Sequence, residues 1–259
     1  SRVKEVCVQA GTQVEGLTAL VRLEPLEDDE TPTGEASTLV LPDEHEQGPE
    51  EAWRVALDEL TGAILGFDAR DDVLARYLAA RDRLCPEAPS DDVIRGECAF
   101  FDTFADVAEL RRNRPSDEQV RTELRIHSDR EHLHTYLTTL DPDRAGLPAG
   151  FVERLTRALA HLGVDSLDRT PELEAAVLRL FLAQQRAGDA LALVVGILER
   201  WLAEPAPGNG LALVARERLE RLKRATQLRY ALLGDLARSV RFRWFDQPAA
   251  DAERARSWS

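Results

Sequence analysis

The sequence predicts a mainly α-helical fold, a helical domain followed by a four-helix-bundle-like domain, with a short β segment at the N-terminus. Three observations carry that expectation. Apolar residues recur at helical spacing from Trp53 to Val240. Helix-start and helix-stop residues fall between the periodic stretches. Residues 1–24 carry β signals, β-branched residues punctuated by glycine.

In that first stretch Val3, Val6 and Val8 precede Gly11, and Val14, Leu20, Val21 and Leu23 follow it, as in short strands joined by tight turns. Residues 25–49 are rich in Pro, Asp and Glu and hold few large apolar side chains. They read as a flexible acidic linker that cannot bury a core. From Glu50 the period becomes helical. Trp53, Leu57, Leu60, Ile64 and Phe67 share one face, and Ser90 before Asp91 and Asp92 marks a helix start whose acidic first turn suits the dipole. Cys98, in step with Ile94, Phe101 and Ala105, reads as a small core residue. Ser116 with Gln119 and Ser128 with Glu131 fit capping boxes, so two helices are expected, about 117–127 and 129–140.

Two prolines and two glycines lie in Asp141–Gly150, making 141–149 the expected boundary between helical parts 50–140 and 150–246. Beyond it the periodicity predicts helices near 150–163, 171–187, 189–204 and 211–240. Thr170 as N-cap and Pro171 in the first turn open the second of these. The third is apolar almost all round (Leu191, Leu193, Val194, Val195, Ile197, Leu198) and should sit centrally. The last carries Leu222, Ala225, Leu228, Leu232, Leu236 and Val240. Unbroken, its roughly 30 residues would span about 45 Å. Residues 247–259 form a tail.

Composition narrows the function classes. A net charge of −14 disfavours nucleic acid and anionic membranes as partners. Cys7, Cys85 and Cys98 are odd in number and widely spaced, which points to a reducing cytoplasm without a structural disulfide or zinc site. No signal peptide is visible, and no apolar run reaches the ~18 residues of a membrane span. The chain opens on Ser1 and holds no Met, so it reads as part of a longer protein.

No phosphate-binding, dinucleotide-binding, nucleophile-elbow or metalloprotease motif is found. The histidine-rich run His127, Asp129, His132, His134 does not converge, because residues two apart lie about 200° apart around a helix. Asp28–Asp29, Asp71–Asp72 and Asp91–Asp92 read as linker or helix-start acids rather than catalytic pairs. Arg238, Arg241 and Arg243 alternate with Val240, Phe242, Trp244 and Phe245, and read as a helix end packing its aromatics. No catalytic, cofactor-binding or metal-binding residue is assigned.

The order of several segments carries a resemblance. VKEVCVQAGTQVEGLTALVRLEP resembles the second half of a biotinyl or lipoyl carrier domain, with Val8, Gly11, Val14, Leu20, Val21 and Leu23 on the family's strand and turn positions. The second turn departs from the pattern, having Leu17 where glycine is usual and Gly16 one place early. The biotinylation turn is absent, and Lys4 is not the biotin-bearing lysine. ALDELTGAILGFDARDDVLARYLAARDRLCP, from Ala56, looks like the start of the helical central region of multidomain acetyl-CoA carboxylases, including a Gly66–Phe67–Asp68 turn. CAFFDTFADVAELRRNRP, from Cys98, looks like its later aromatic-rich helix. ALAHLGVDSLDRTPELEAAVLRLFLAQQR, from Ala158, and LARSVRFRWFD, from Leu236, resemble segments of bacterial single-chain biotin-dependent acyl-CoA carboxylases. These segments touch about half the chain, and none is a catalytic signature.

The resemblance implies a non-catalytic central region that joins carrier to carboxyltransferase. Residues 1–24 would then be the end of the biotin carrier, 150–246 a four-helix linker domain, and 247–259 the approach to the carboxyltransferase. Biotin, ATP and Mg are implied for the parent enzyme and none of them for this segment. The implied partners are the other domains of the same polypeptide: biotin carboxylase, biotin carrier and carboxyltransferase. The parent is expected to be a homo-oligomer. The competing reading is a stand-alone helical interaction or oligomerisation module unrelated to carboxylases.

Overall fold

A computed structural model describes residues 2–6, 21–24, 48–110, 129–226 and 229–257. The chain divides into two compact units, 1–46 and 47–259. In the first, β1 (Arg2–Val6) pairs antiparallel with β2 (Val21–Glu24), with an irregularity in register between Val3 and Glu5. The expected turn residue Gly11, the expected strand residues Val8, Val14 and Leu20, the acidic linker up to Gln47, and the expected helix 117–127 with His127 lie outside the described residues.

The second unit is helical: α1 (Pro49–Ile64), α2 (Val73–Leu84), α3 (Asp91–Glu109), α4 (Asp129–Thr139), α5 (Ala149–Ala160), α6 (Pro171–Gln185), α7 (Ala187–Ala203), α8 (Asn209–Thr226), α9 (Ala231–Arg241) and α10 (Gln247–Ser257). A π-helical turn, Phe242–Asp246, joins α9 to α10.

Local chemistry sets most of these boundaries. Ser90 caps α3 by accepting a hydrogen bond from the Val93 amide, and Thr170 caps α6 by accepting from Leu173. Pro49 and Pro171 occupy first-turn positions where no intrahelical N–H is lost. α1 buries Trp53, Ala56, Leu60 and Ile64, then stops in a Schellman motif. There the Phe67 amide donates to the Gly62 carbonyl at 3.0 Å and the Gly66 amide to Ala63 at 3.3 Å. Gly66 takes φ +87°, and a Cβ there would lie 2.7 Å from the Arg179 carbonyl oxygen, so both conformation and space require glycine. Phe67, expected on the buried stripe of α1, therefore falls beyond the helix and is 43% exposed.

Helix α3 is the hub. It packs on α1, α5, α6, α7 and α8, and buried residues occur on every side of it. The expected centre, α7, contacts α1, α3 and α9 and buries one broad face, Ala190, Leu193, Val194, Ile197, Leu198 and Trp201. The expected boundary 141–149 is a turn within this unit. The Asp141 carboxylate accepts from the Asp143 and Arg144 amides, and Gly146 adopts positive φ.

The single helix expected over 211–240 is two helices. α8 ends at Thr226 and α9 begins at Ala231, and the two pack on each other. The buried residues Leu219, Leu222, Thr226, Leu233, Ala237, Val240 and Trp244 keep helical phase across the break. Thr226 and Leu233 are seven apart, two helical turns, so periodicity carried no trace of it. Leu232, expected on the buried stripe, is 83% exposed.

Candidate functional site

Two polar networks radiate from α3, and both hold positions in phase with its apolar stripe. Glu97, wholly buried, is the centre of the first. Its Oε1 accepts from Tyr77 Oη and from Arg81 Nε, each at 2.7 Å, and its Oε2 accepts from Trp201 Nε1 at 2.6 Å. Arg81, also wholly buried, turns its two terminal nitrogens to the Glu204 carboxylate, each at 2.7 Å. Arg200 adds a third guanidinium contact to Glu204 at 2.7 Å. Aromatic rings close this pair off from water. Trp244, in the π-helical turn, stacks on Trp201 with centroids 4.7 Å apart and donates to the Glu204 carbonyl at 3.0 Å, while Phe101 meets Trp201 edge-on.

Burial pushes the Glu97 carboxyl above its ordinary value, against the pull of Arg81, Trp201 and Tyr77. Every group facing it is a donor, so the ionised carboxylate is the form the geometry accommodates. Burial also works against the Arg81 charge, yet Glu204 and Glu97 together raise its pKa. The Tyr77 hydroxyl is raised well above its usual value, first by burial and then by the Glu97 charge. Each of these enclosed charges has its counter-charge within hydrogen-bonding distance, and removing one partner would leave the other uncompensated in the interior.

The second network uses Asp102, Asp106 and Glu109, spaced by four and three along α3. Arg221 of α8 reaches Asp102 at 2.8 Å and Asp106 at 2.5 Å. Arg157 of α5 reaches Asp106 at 3.1 Å and Glu109 at 3.0 Å. Arg218 also meets Asp102. Burial would raise the Asp106 carboxyl, but hydrogen bonds from His161, Arg157 and Arg221 outweigh it and hold it at about 2.

Thr103, His161 and Asp106 stand in the order of a catalytic relay: Thr103 Oγ1 is 3.3 Å from His161 Nδ1, and His161 Nε2 is 3.0 Å from Asp106. The arrangement does not suit nucleophilic catalysis. Thr103 gives its one proton to the Ala99 carbonyl at 3.1 Å and is only 3% exposed. A hydroxyl enclosed in this way and committed to a backbone carbonyl is not presented to an outside substrate. His161 clasps α5 to α3.

The residues singled out from sequence fall apart in space. His132 packs against Phe151 at 5.3 Å and His134 against Phe181 at 6.5 Å. Among the described residues, no group of three or more His, Cys, Asp or Glu could hold a metal ion. Cys98 lies in the core, where burial pushes its thiol up to about 12, and Cys85 is a free buried thiol. Of the arginine-aromatic run, Trp244 is buried, Arg241 pairs with Glu220 and Asp246, and Phe242 is 55% exposed. Sequence reasoning missed Arg81, Glu97 and Asp106. A charged residue in step with an apolar stripe was their signal.

Two clefts border the segment after α1. One cleft of about 430 Å³ lies against α1 and the start of α2, and another of about 490 Å³ lies against the start of α7. Phe67, Asp68, Ala69, Arg70 and Val73 line both. The Arg179 guanidinium lies 3.8 Å from the centre of the Phe67 ring, and Arg186 pairs with Asp68 at 2.7 Å.

No protein-family model, curated protein or solved structure matches the chain. Among the described residues, no single helix is long and apolar enough to cross a membrane.

Proposed function

We propose that this chain is a non-catalytic scaffold segment of a biotin-dependent acyl-CoA carboxylase of the acetyl-CoA type, holding the biotin carrier between two active sites encoded elsewhere in the polypeptide. The order of the resembling segments from Val3 to Asp246 supports the reading. The structural observation that carries it is the way the helical unit spends its buried charge. Glu97, Arg81 and Asp106 tie α2, α3, α5, α7 and α8 to one another, as a spacer that must keep its shape requires.

In such an enzyme biotin brings the reactive chemistry and the protein brings placement. A tethered carrier meets its sites at an effective concentration of order millimolar for a short flexible link, and the rigid body fixes where the tether starts. On this reading residues 25–49 are the tether, the chain works in the cytoplasm, and its partners are the biotin carboxylase, carrier and carboxyltransferase domains of its own polypeptide.

The test is made on the native gene product. Streptavidin capture followed by peptide mapping should find a biotinylated lysine N-terminal to Ser1 on the same polypeptide. Lengthening 25–49 with Gly-Ser repeats should then slow overall carboxylation while leaving each half-reaction with free biotin unchanged. A parent polypeptide without biotin, or equal loss in the half-reactions, refutes the proposal.

A further inference from the structure

The segment Phe67–Asp72 carries a second feature, independent of the carboxylase reading and compatible with the competing interaction-module reading. The two clefts beside it have apolar floors that include Val73 and Leu193, both buried, while Phe67 stands at the rim of both. Five carboxylates line them, Asp58, Glu59, Asp68, Asp71 and Asp189, against the two guanidinium groups of Arg70 and Arg186. Glu59 is engaged by Arg76 and Asp68 by Arg186. Arg70 is held by Asp72, just outside the clefts, so neither lining arginine is free to neutralise the rest. Among the described residues, Asp58, Asp71 and Asp189 have no cationic partner, and all three are exposed.

An apolar floor, an aromatic rim and three uncompensated carboxylates describe one kind of occupant. Cations are drawn to the carboxylates, one face of the Phe67 ring is already covered by the Arg179 guanidinium, and an aliphatic side chain between those cations fits the floor and the rest of the ring. We propose that this double cleft docks a basic protein segment in which arginine or lysine alternates with aliphatic residues. Anionic ligands and unbroken apolar helices are disfavoured by the same rim.

The test uses a fluorescein-labelled twelve-residue peptide of alternating arginine and leucine, titrated with the full chain and read by fluorescence anisotropy at physiological salt. Saturable binding is expected. The triple variant D58N/D71N/D189N should weaken it roughly tenfold or more, as loss of three modest ion pairs implies, and Phe67→Ala should weaken it severalfold. The control triple E87Q/E153Q/E199Q removes the same charge at exposed sites away from the clefts and should change affinity less than twofold. An arginine–serine peptide of equal charge should bind at least severalfold more weakly. Equal weakening by the two triples, equal affinity of the serine peptide, or no saturable binding overturns the proposal. Unchanged urea midpoints for the triples show that folding is not what the titration reads.

Discussion

Removing the charge of Glu97 tests whether the buried network holds the helical unit together. In Glu97→Gln one amide oxygen can still take Tyr77 and Arg81 Nε, but the new NH2 then faces the Trp201 N–H, donor against donor. Arg81 keeps its two bonds to Glu204, so its charge is not stranded. Breaking a buried pair costs about 3–5 kcal/mol, and the surviving Glu204 contact places this variant near the lower end. Arg81→Met leaves both Glu97 and Glu204 without their main partner and should cost more. The double variant should cost about 2 kcal/mol less than the sum, because the second change relieves the isolated charge left by the first. Urea unfolding is the assay, since guanidinium would screen the pair. Tryptophan fluorescence reports it, because Trp53, Trp201 and Trp244 all lie in or against the network. A Glu97→Gln variant within about 0.5 kcal/mol of the parent, or single effects that simply add, would refute the argument.

Three further outcomes follow from the geometry. Gly66→Ala meets both left-handed φ and the Arg179 carbonyl at 2.7 Å, and is expected to lower stability by about 2–3 kcal/mol in the same urea assay, with no change meaning that the α1 turn is not held against α6. For Asp106 the folded carboxyl is depressed from 3.8 to about 2, so its stabilising contribution is complete above 3.8 and is lost as pH falls through about 2. That interval corresponds to about 2 kcal/mol, and Asp106→Asn should flatten the stability profile between pH 2 and 4, whereas a parallel profile would remove Asp106 from the account. With its thiol pushed up to about 12 and 3% exposed, Cys98 should escape pulse alkylation at pH 8 that labels it fully in urea, and peptide mapping showing equal labelling in both states would contradict its place in the core.

What was legible in the sequence was local. Ser90 with Asp91 and Asp92, and Thr170 with Pro171, set two helix starts because capping is decided within four residues of chain. The stripe Trp53, Leu60, Ile64 and the core place of Cys98 were legible for a related reason, since an amphipathic helix declares its buried face by period alone. The proposed carboxylase role likewise rests on the order of sequence segments, and the fold does not decide it.

Tertiary packing decided the rest. Phe67 shares the α1 period yet lies outside the core, because Gly66 must pass against the backbone of α6, more than a hundred residues away. The break between α8 and α9 is invisible to periodicity, since the buried stripe crosses it in phase. The partners of Glu97 come from α2 and α7, and those of Asp106 from α5 and α8. A charged residue in an apolar register announces in sequence that it needs a partner. Which residue answers is set only when distant helices meet, because an ion pair acts over a few ångströms and the chain gives no measure of that distance.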